Sequence, residues 1–368
     1  MKRIVSLDVM RGMDMWFITG GDVFLKALGT WLTGSKANFL TTQMTHVEWS
    51  GLHVYDLMFP LFLFIAGISW PFSLARRREK GATNAEIVRH VVIRTLLLIV
   101  IGLFISRITR LDWGNFRVWS VIGRVGIAWG VAALVFTFCS VRKAVIVTAA
   151  ILVGWWALTL FVPSPEAPAG VCPMLRGETY IGHWVDSNFL TTRHKREGGL
   201  ATLAMPPLVL MGMFAGAYLR KARERLSGGR ICLTLAGAGA AAITLGLAGA
   251  FCLGPLSLPV VKSCYSSTYS LVTGGIGAIV FALLYWIVDV KGCVGWTLYF
   301  RVIGANAIAI YFGQCFVKFL PMSEWFLGGI PALLGSPEAA AVLVAAGALA
   351  LRWIPLHFLY RRDIYIRV

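Results

Sequence analysis

The chain has 368 residues, 58% of them hydrophobic and only 14% charged, with a mean hydropathy of +0.74. A soluble domain is usually about a quarter charged, so this balance excludes an ordinary water-soluble protein. The formal net charge of +17 does not signal nucleic acid as a partner, because the positives sit in short loops between apolar runs. Basic residues there hold helix ends in the cytoplasm and touch anionic membrane lipid.

Taken in chain order, runs long enough to cross about 30 Å of hydrocarbon predict spans at 4–22, 56–75, 87–106, 119–138, 143–162, 200–219, 230–252, 269–288, 299–319 and 338–359. The first follows Met1-Lys2-Arg3 and superficially resembles a signal peptide. Asp8, Arg11 and Asp14 interrupt it and no small-residue cleavage site follows, so it reads as a retained helix. The expected fold class is all-α, a polytopic membrane helical bundle of about ten transmembrane helices in one domain, 1–368. Arg76-Arg77-Arg78-Glu79-Lys80, Arg142-Lys143, the cluster from Arg220 to Arg225, Lys291 and Arg361-Arg362 concentrate positive charge on alternate connections. The positive-inside rule then puts both termini in the cytoplasm. The outer loops are less concentrated in charge, although 107–117 and 193–196 carry some Arg and Lys. Two of them, 23–55 and 163–199, are large.

Seven cysteines (Cys139, Cys172, Cys232, Cys252, Cys264, Cys293, Cys315) show no metal-ligand spacing. Most lie in or beside apolar runs, where Cys behaves as a small hydrophobe. Only Cys172, Cys252 and Cys264 are placed to meet on an oxidising face.

Polar groups inside the spans are too costly to be accidental. On the first, Asp8, Arg11, Asp14 and Asp22 fall within about a third of the helix circumference, so they share one stripe facing the bundle interior or a wet cavity. Asp8 and Arg11, at i,i+3, are equally explained as a pair near the inner surface; Asp22 is not. Next, the segment from Thr45 to Pro60 sets His46, Glu48, His53 and Asp56 just ahead of a span on the outer face. A neutral His there is either a polar cap or a general base or nucleophile. His46 and His53 are two helical turns apart, but nothing completes three metal ligands, so no metal is expected.

Later intrusions are Arg124, Lys262-Ser263, Arg301 and Asn306. A buried Arg pairs with an acid or holds a phosphate or carboxylate, and Arg124 could serve the stripe on the first helix. Asn306, between small residues, reads best as an interhelical hydrogen bond. These features describe a membrane bundle with a polar interior; they do not separate an enzyme from a transporter.

The same residues carry a resemblance. Ser6, Asp8, Arg11 and Gly12 match the Ser-x-Asp-x-x-Arg-Gly helix that opens the heparan-α-glucosaminide N-acetyltransferase family. His46, Trp49, Gly51, Leu52, Asp56, Leu57, Phe59 and Pro60 match its His-x-x-Trp-x-Gly-Leu-x-x-x-Asp-Leu-x-Phe-Pro segment. Gly123 to Ala128, Glu197 to Thr202, Pro259 to Ser267, the block around Arg301 and Asn306, and the stretch from Leu359 to Ile366 are similar to further family segments in the same order.

That resemblance implies acetyl-CoA held mostly from the cytoplasmic side and a glucosamine-type saccharide as acceptor on the far face. In a bacterium the chain would be a multi-pass protein of the inner membrane. The family's active-site histidine falls on His46, which would act as base or nucleophile, with Asp22 beside it. Arg124, Lys262, Ser263 and Arg11 become candidates for the CoA or sugar charges, and Asp8, Asp14, Glu48, Trp49, Asp56 and Asn306 for shaping the site. The family commonly has Asn where this chain has Asp22. An ionised Asp cannot donate to a thioester oxygen, but it can orient His46 or bind a cationic amine. Two rivals share the features: an O-acyltransferase of envelope polysaccharide, and a transporter using the charged stripe of the first helix. The transporter would be favoured by inverted-repeat symmetry, which the sequence lacks. The small-residue helix at 235–250 suits tight packing within one chain or across a homodimer.

Overall fold

The computed structural model describes residues 4–108, 119–168, 174, 179–189, 198–330 and 335–366. The charged loops 107–117 and 193–196, together with Cys172 and Glu197, lie wholly or almost wholly outside these. Among the described residues eight helices are long and apolar enough to cross a membrane: Val54–Glu79, Asn84–Ile105, Val121–Phe138, Val141–Phe161, Leu200–Ala222, Gly228–Phe251, Ser267–Val290 and Pro337–Arg361. They match eight predicted spans in order, and the only β pairing described is two isolated bridges. The protein is an all-α polytopic membrane protein.

The other two predicted spans are broken helices. The first is α1 (Val5–Trp16), a wide turn at Phe17–Gly21, then α2 (Asp22–Thr33). Thr19 and Gly20 leave helical geometry, and Gly20 takes φ 124°, which costs a residue without Cβ little. The Thr19 hydroxyl turns back to donate to the Met15 carbonyl at 2.7 Å. The expected outer loop 23–55 therefore begins as a helix, built on Val23, Phe24, Leu25, Leu28 and Trp31 and closed by Gly34 at φ 67°. A short α3 (Phe39–Gln43) follows, capped by the Asn38 side chain. Span 299–319 is likewise split into helices on either side of Asn306, whose φ of −125° and ψ of 39° are not helical.

The remaining helices are α4 (Met58–Glu79), α5 (Asn84–Ile108), α6 (Val121–Phe138), α7 (Val141–Phe161), α8 (Ile181–Asn188), α9 (Pro206–Ala222), α10 (Gly228–Phe251), α11 (Ser267–Leu284), α12 (Leu298–Ala305), α13 (Ala307–Gly313), α14 (Phe319–Leu327) and α15 (Pro337–Arg361). They pack as two compact units. One joins the two ends of the chain, Met1–Val47, His53–Phe59 and Leu284–Val368; the other holds Glu48–Leu52 and Pro60–Leu283.

In the end-joining unit, α1 lies against α12 at Gly12 and Gly304, where backbone meets backbone. No side chain caps α1 at its own N-cap, Ile4. Instead the Asp289 carboxylate accepts from the Val5 and Ser6 amides at 3.1 and 2.9 Å, supplying both an acceptor and negative charge to the helix N-terminus. In the middle unit α4, α6, α9 and α11 are central, with 61–72% of their spans buried against 22–28% for α5, α7 and α10. The outer helices turn residues such as Leu96, Leu97 and Val100 outward, as lipid contact requires. Gly212 and Gly216, spaced G-x-x-x-G on α9, let that helix press on the α4 carbonyls of Phe64 and Ile68.

Cys252 and Cys264, two of the three cysteines expected to be able to meet, are both free thiols. Cys264 is buried, which pushes its thiol up to about 12, so at pH 8 only about one molecule in ten thousand carries the reactive thiolate. Maleimide at pH 8 is therefore expected to label the exposed Cys252 and Cys293 within minutes and to spare Cys264 until the protein is denatured. Peptide mass spectrometry reads this directly, and equal labelling of Cys264 in the native protein would contradict its burial.

Candidate active site

The loop between α3 and α4 takes its shape from one carboxylate. Asp56 sits in the 3₁₀ turn Val54–Leu57 that leads into α4, and it is wholly buried. It accepts from the Val47 amide at 3.3 Å and the His53 amide at 3.1 Å, and it contacts His46 Nδ1 at 2.7 Å. Two amides donate to this carboxylate, so it is the acceptor, and the contact to His46 is read with Nδ1 donating. The basic lone pair of the imidazole then lies on Nε2. The carboxylate is buried while the His46 side chain is half exposed, so the ring is held from behind and presented outward. His53 turns its own Nδ1 to the Thr45 carbonyl, 2.9 Å away, which makes it part of the loop's frame. Among the described residues no group of three His, Cys, Asp or Glu is arranged to hold a metal.

A polar path leads away from His46 within the same unit. The Tyr55 ring lies 4.9 Å from the imidazole, and Lys26 stands 5.6 Å over Tyr55. Lys26 also pairs with Asp22 at 3.3 Å, at the start of α2. Asp22 is in turn within electrostatic reach of both Tyr55 and Arg352 on α15. The fold thus joins Asp22 to His46 through Tyr55 and Lys26, two residues that the sequence reading did not single out. Arg352 was also missed, though a charge inside an apolar run is itself the signal.

The charged stripe on the first helix is divided. Asp8 and Arg11 pair at 3.4 Å, as the i,i+3 reading expects. Asp14 is 3% exposed and neither of its oxygens has a hydrogen-bond partner among the described residues. Asp22 lies past the break at Gly20, re-aimed by it. Asn306 uses its amide to accept from Ile366 N at 2.9 Å and donate to the Ile364 carbonyl at 3.0 Å; it pins the C-terminal segment, a structural role.

The other candidates belong to the middle unit. Trp49 donates its indole N–H to the Met174 carbonyl at 2.9 Å. Ser50 bridges to Val261, and the Gly51 amide donates to the Val260 carbonyl at 2.9 Å. That pairing sets exposed Glu48 and half-buried Trp49 beside the turn carrying Lys262 and Ser263, with Lys262 9% exposed. Arg124 is 1% exposed in the first turn of α6 and lies within electrostatic reach of Asp186 on α8. Burial raises the Asp186 carboxyl, while donation from the Leu200 and Gly199 amides and the charges of His183 and Arg124 draw it back. Arg124 therefore has an acid within the protein for a neighbour, and Asp186 too was missed, since 62 residues of sequence separate the two.

No family model matches the chain. Two curated relatives do. The heparan-alpha-glucosaminide N-acetyltransferase of Mus musculus is 25% identical over 332 residues, covering 73% of this chain and 48% of that protein. The protein of the same name from Homo sapiens is 26% identical over 381 residues, covering 88% and 55%. The chain spans about half the length of the curated relatives it matches.

Proposed function

Starting from this distant relationship to the heparan-α-glucosaminide N-acetyltransferases, we propose that the chain is a membrane acetyltransferase. It moves an acetyl group from acetyl-CoA, supplied from the cytoplasm, to the amine of a glucosamine-type sugar on the outer face, with both termini cytoplasmic. The observation that carries this reading is the 2.7 Å contact between half-exposed His46 and fully buried Asp56.

Asp56 holds the imidazole in the Nδ1–H tautomer, and His46 Nε2 takes a proton from the sugar ammonium. The freed amine adds to the thioester carbonyl, forming the C–N bond. When the C–S bond breaks, His46 returns its proton to the departing thiolate, and the second proton of the new amide passes to water. His46 ends neutral, ready for another cycle. Asp22, an acid near the path to His46, suits a cationic amine better than a neutral hydroxyl, which favours N- over O-acetylation.

Purified protein in liposomes, given isotopically labelled acetyl-CoA and a panel of amino sugars beside their hydroxyl counterparts, is expected to place label on the sugar amine. Absence of CoA release with any acceptor, from protein shown to be folded, would sink the acetyltransferase reading and return the transporter to first place.

A further inference from the structure

Arg352 stands on α15, within a helix apolar enough to cross a membrane, where a guanidinium is costly unless its donors are answered. Among the described residues they are not answered. Its Nε–H is buried without an acceptor, and no hydrogen bond from Arg352 occurs among the described residues. Asp22 is within electrostatic reach, but the ion pair Asp22 makes is with Lys26. The guanidinium lies 5.1 Å over the Phe319 ring.

What Arg352 faces is a partly open cavity walled by Trp16, Thr19, Tyr299 and Trp353 and lined further by aliphatic side chains. Its size, room for about one water, excludes a phosphate or a sugar ring and admits a single oxygen atom. The nearby acid, Asp22, disfavours a permanently anionic ligand. A neutral carbonyl oxygen that gains negative charge only during reaction satisfies both limits. The break in the first span also serves this guanidinium: a Cβ on Gly20 would collide with Arg352 Nη1.

We propose that Arg352 is a catalytic residue that receives the carbonyl oxygen of the acyl group in this cavity and stabilises the oxyanion of the tetrahedral intermediate. The inference rests on the acetyl-transfer reading above. As the sugar nitrogen bonds to the carbonyl carbon, the C=O π pair moves onto the oxygen held by Arg352. It returns to the carbon as the C–S bond breaks and the thiolate leaves. Arg352 stays protonated throughout, and the proton traffic belongs to His46. The Asp22 carboxylate, acceptor-only when ionised, cannot take this role.

The test compares Arg352→Gln and Arg352→Lys with wild type in liposomes, by steady-state kinetics and by titration with S-ethyl-CoA, a thioether that lacks the carbonyl. Arg352→Gln is expected to lower kcat by about 10²–10³-fold with S-ethyl-CoA affinity unchanged within threefold. Arg352→Lys, which keeps the charge but not the fork of donors, is expected to retain about a tenth of the wild-type kcat. An active wild type with Arg352→Gln within threefold of its kcat overturns the inference alone. So does a loss shared equally by both variants and by S-ethyl-CoA binding, which would mark a structural role. Should Arg352→Gln not fold, Arg352→Lys decides: normal kcat refutes the need for a fork of donors, and a loss of about tenfold in kcat alone upholds it. A wild type with no acetyl transfer removes the function and this role together.

Discussion

Replacing His46 with alanine is expected to lower acetyl transfer by at least about 10³-fold, and Asp56→Asn by about 10²–10⁴-fold. The two losses have different origins. Without the imidazole nothing at this position takes the ammonium proton. In the Asp56→Asn variant the base remains, but the new amide must either turn its NH₂ toward His46, favouring the wrong tautomer, or face the Val47 and His53 amides with a donor. Asp56 is fully buried and accepts from both, so neither orientation is free of penalty. Initial rates of CoA release measure both variants, with thermal unfolding in detergent as the control for folding. His46→Ala keeping more than a tenth of wild-type rate would remove His46 from the chemistry. Asp56→Asn with unaltered rate would mean that the 2.7 Å contact shapes the loop without tuning the ring.

The second large effect is structural. Gly304→Val is expected to cost about 2–4 kcal/mol and to lower the thermal midpoint by at least about 5 °C. A Cβ at Gly304 would meet the Asp8 carbonyl and the Gly12 amide, and one at Gly12 would meet the Phe300 carbonyl. These obstacles are backbone on both sides, so no rotamer change relieves them, and α1 must move off α12. Gly237→Ala on α10 is the control: nothing lies within 4 Å of its Cβ position, and the alanine should be neutral or mildly stabilising. A Gly304→Val protein that melts like wild type would show that the two helices part without loss.

What could be read in advance was what local pattern carries. Eight spans announce themselves by hydropathy, because crossing hydrocarbon demands length and apolarity from each segment alone. His46 and Asp56 were both named, ten residues apart in one loop, but only folding made the carboxylate the histidine's partner. The break at Gly20 escaped notice because one glycine in an apolar run usually stays helical, and here tertiary contact with Arg352 makes its absent side chain matter. Arg352 itself lies 330 residues from Asp22; no spacing rule spans that distance. Arg124 was expected to hold a ligand or to serve the acids of the first helix; the acid within its reach is Asp186, on a short helix inside the segment 163–199 that hydropathy reads only as a connection.

The carboxylate that caps the first helix has a consequence in time. Asp289 is 284 and 283 positions from the two amides it satisfies. At about 5–20 residues per second, a ribosome needs roughly fifteen seconds to a minute to make the intervening chain. Throughout that interval the first turn of α1 has water or lipid headgroups for its partners. The cap of α1 is therefore completed only after the whole of Pro60–Leu283 has been made, and the first turn of α1 stays uncommitted until Asp289 arrives.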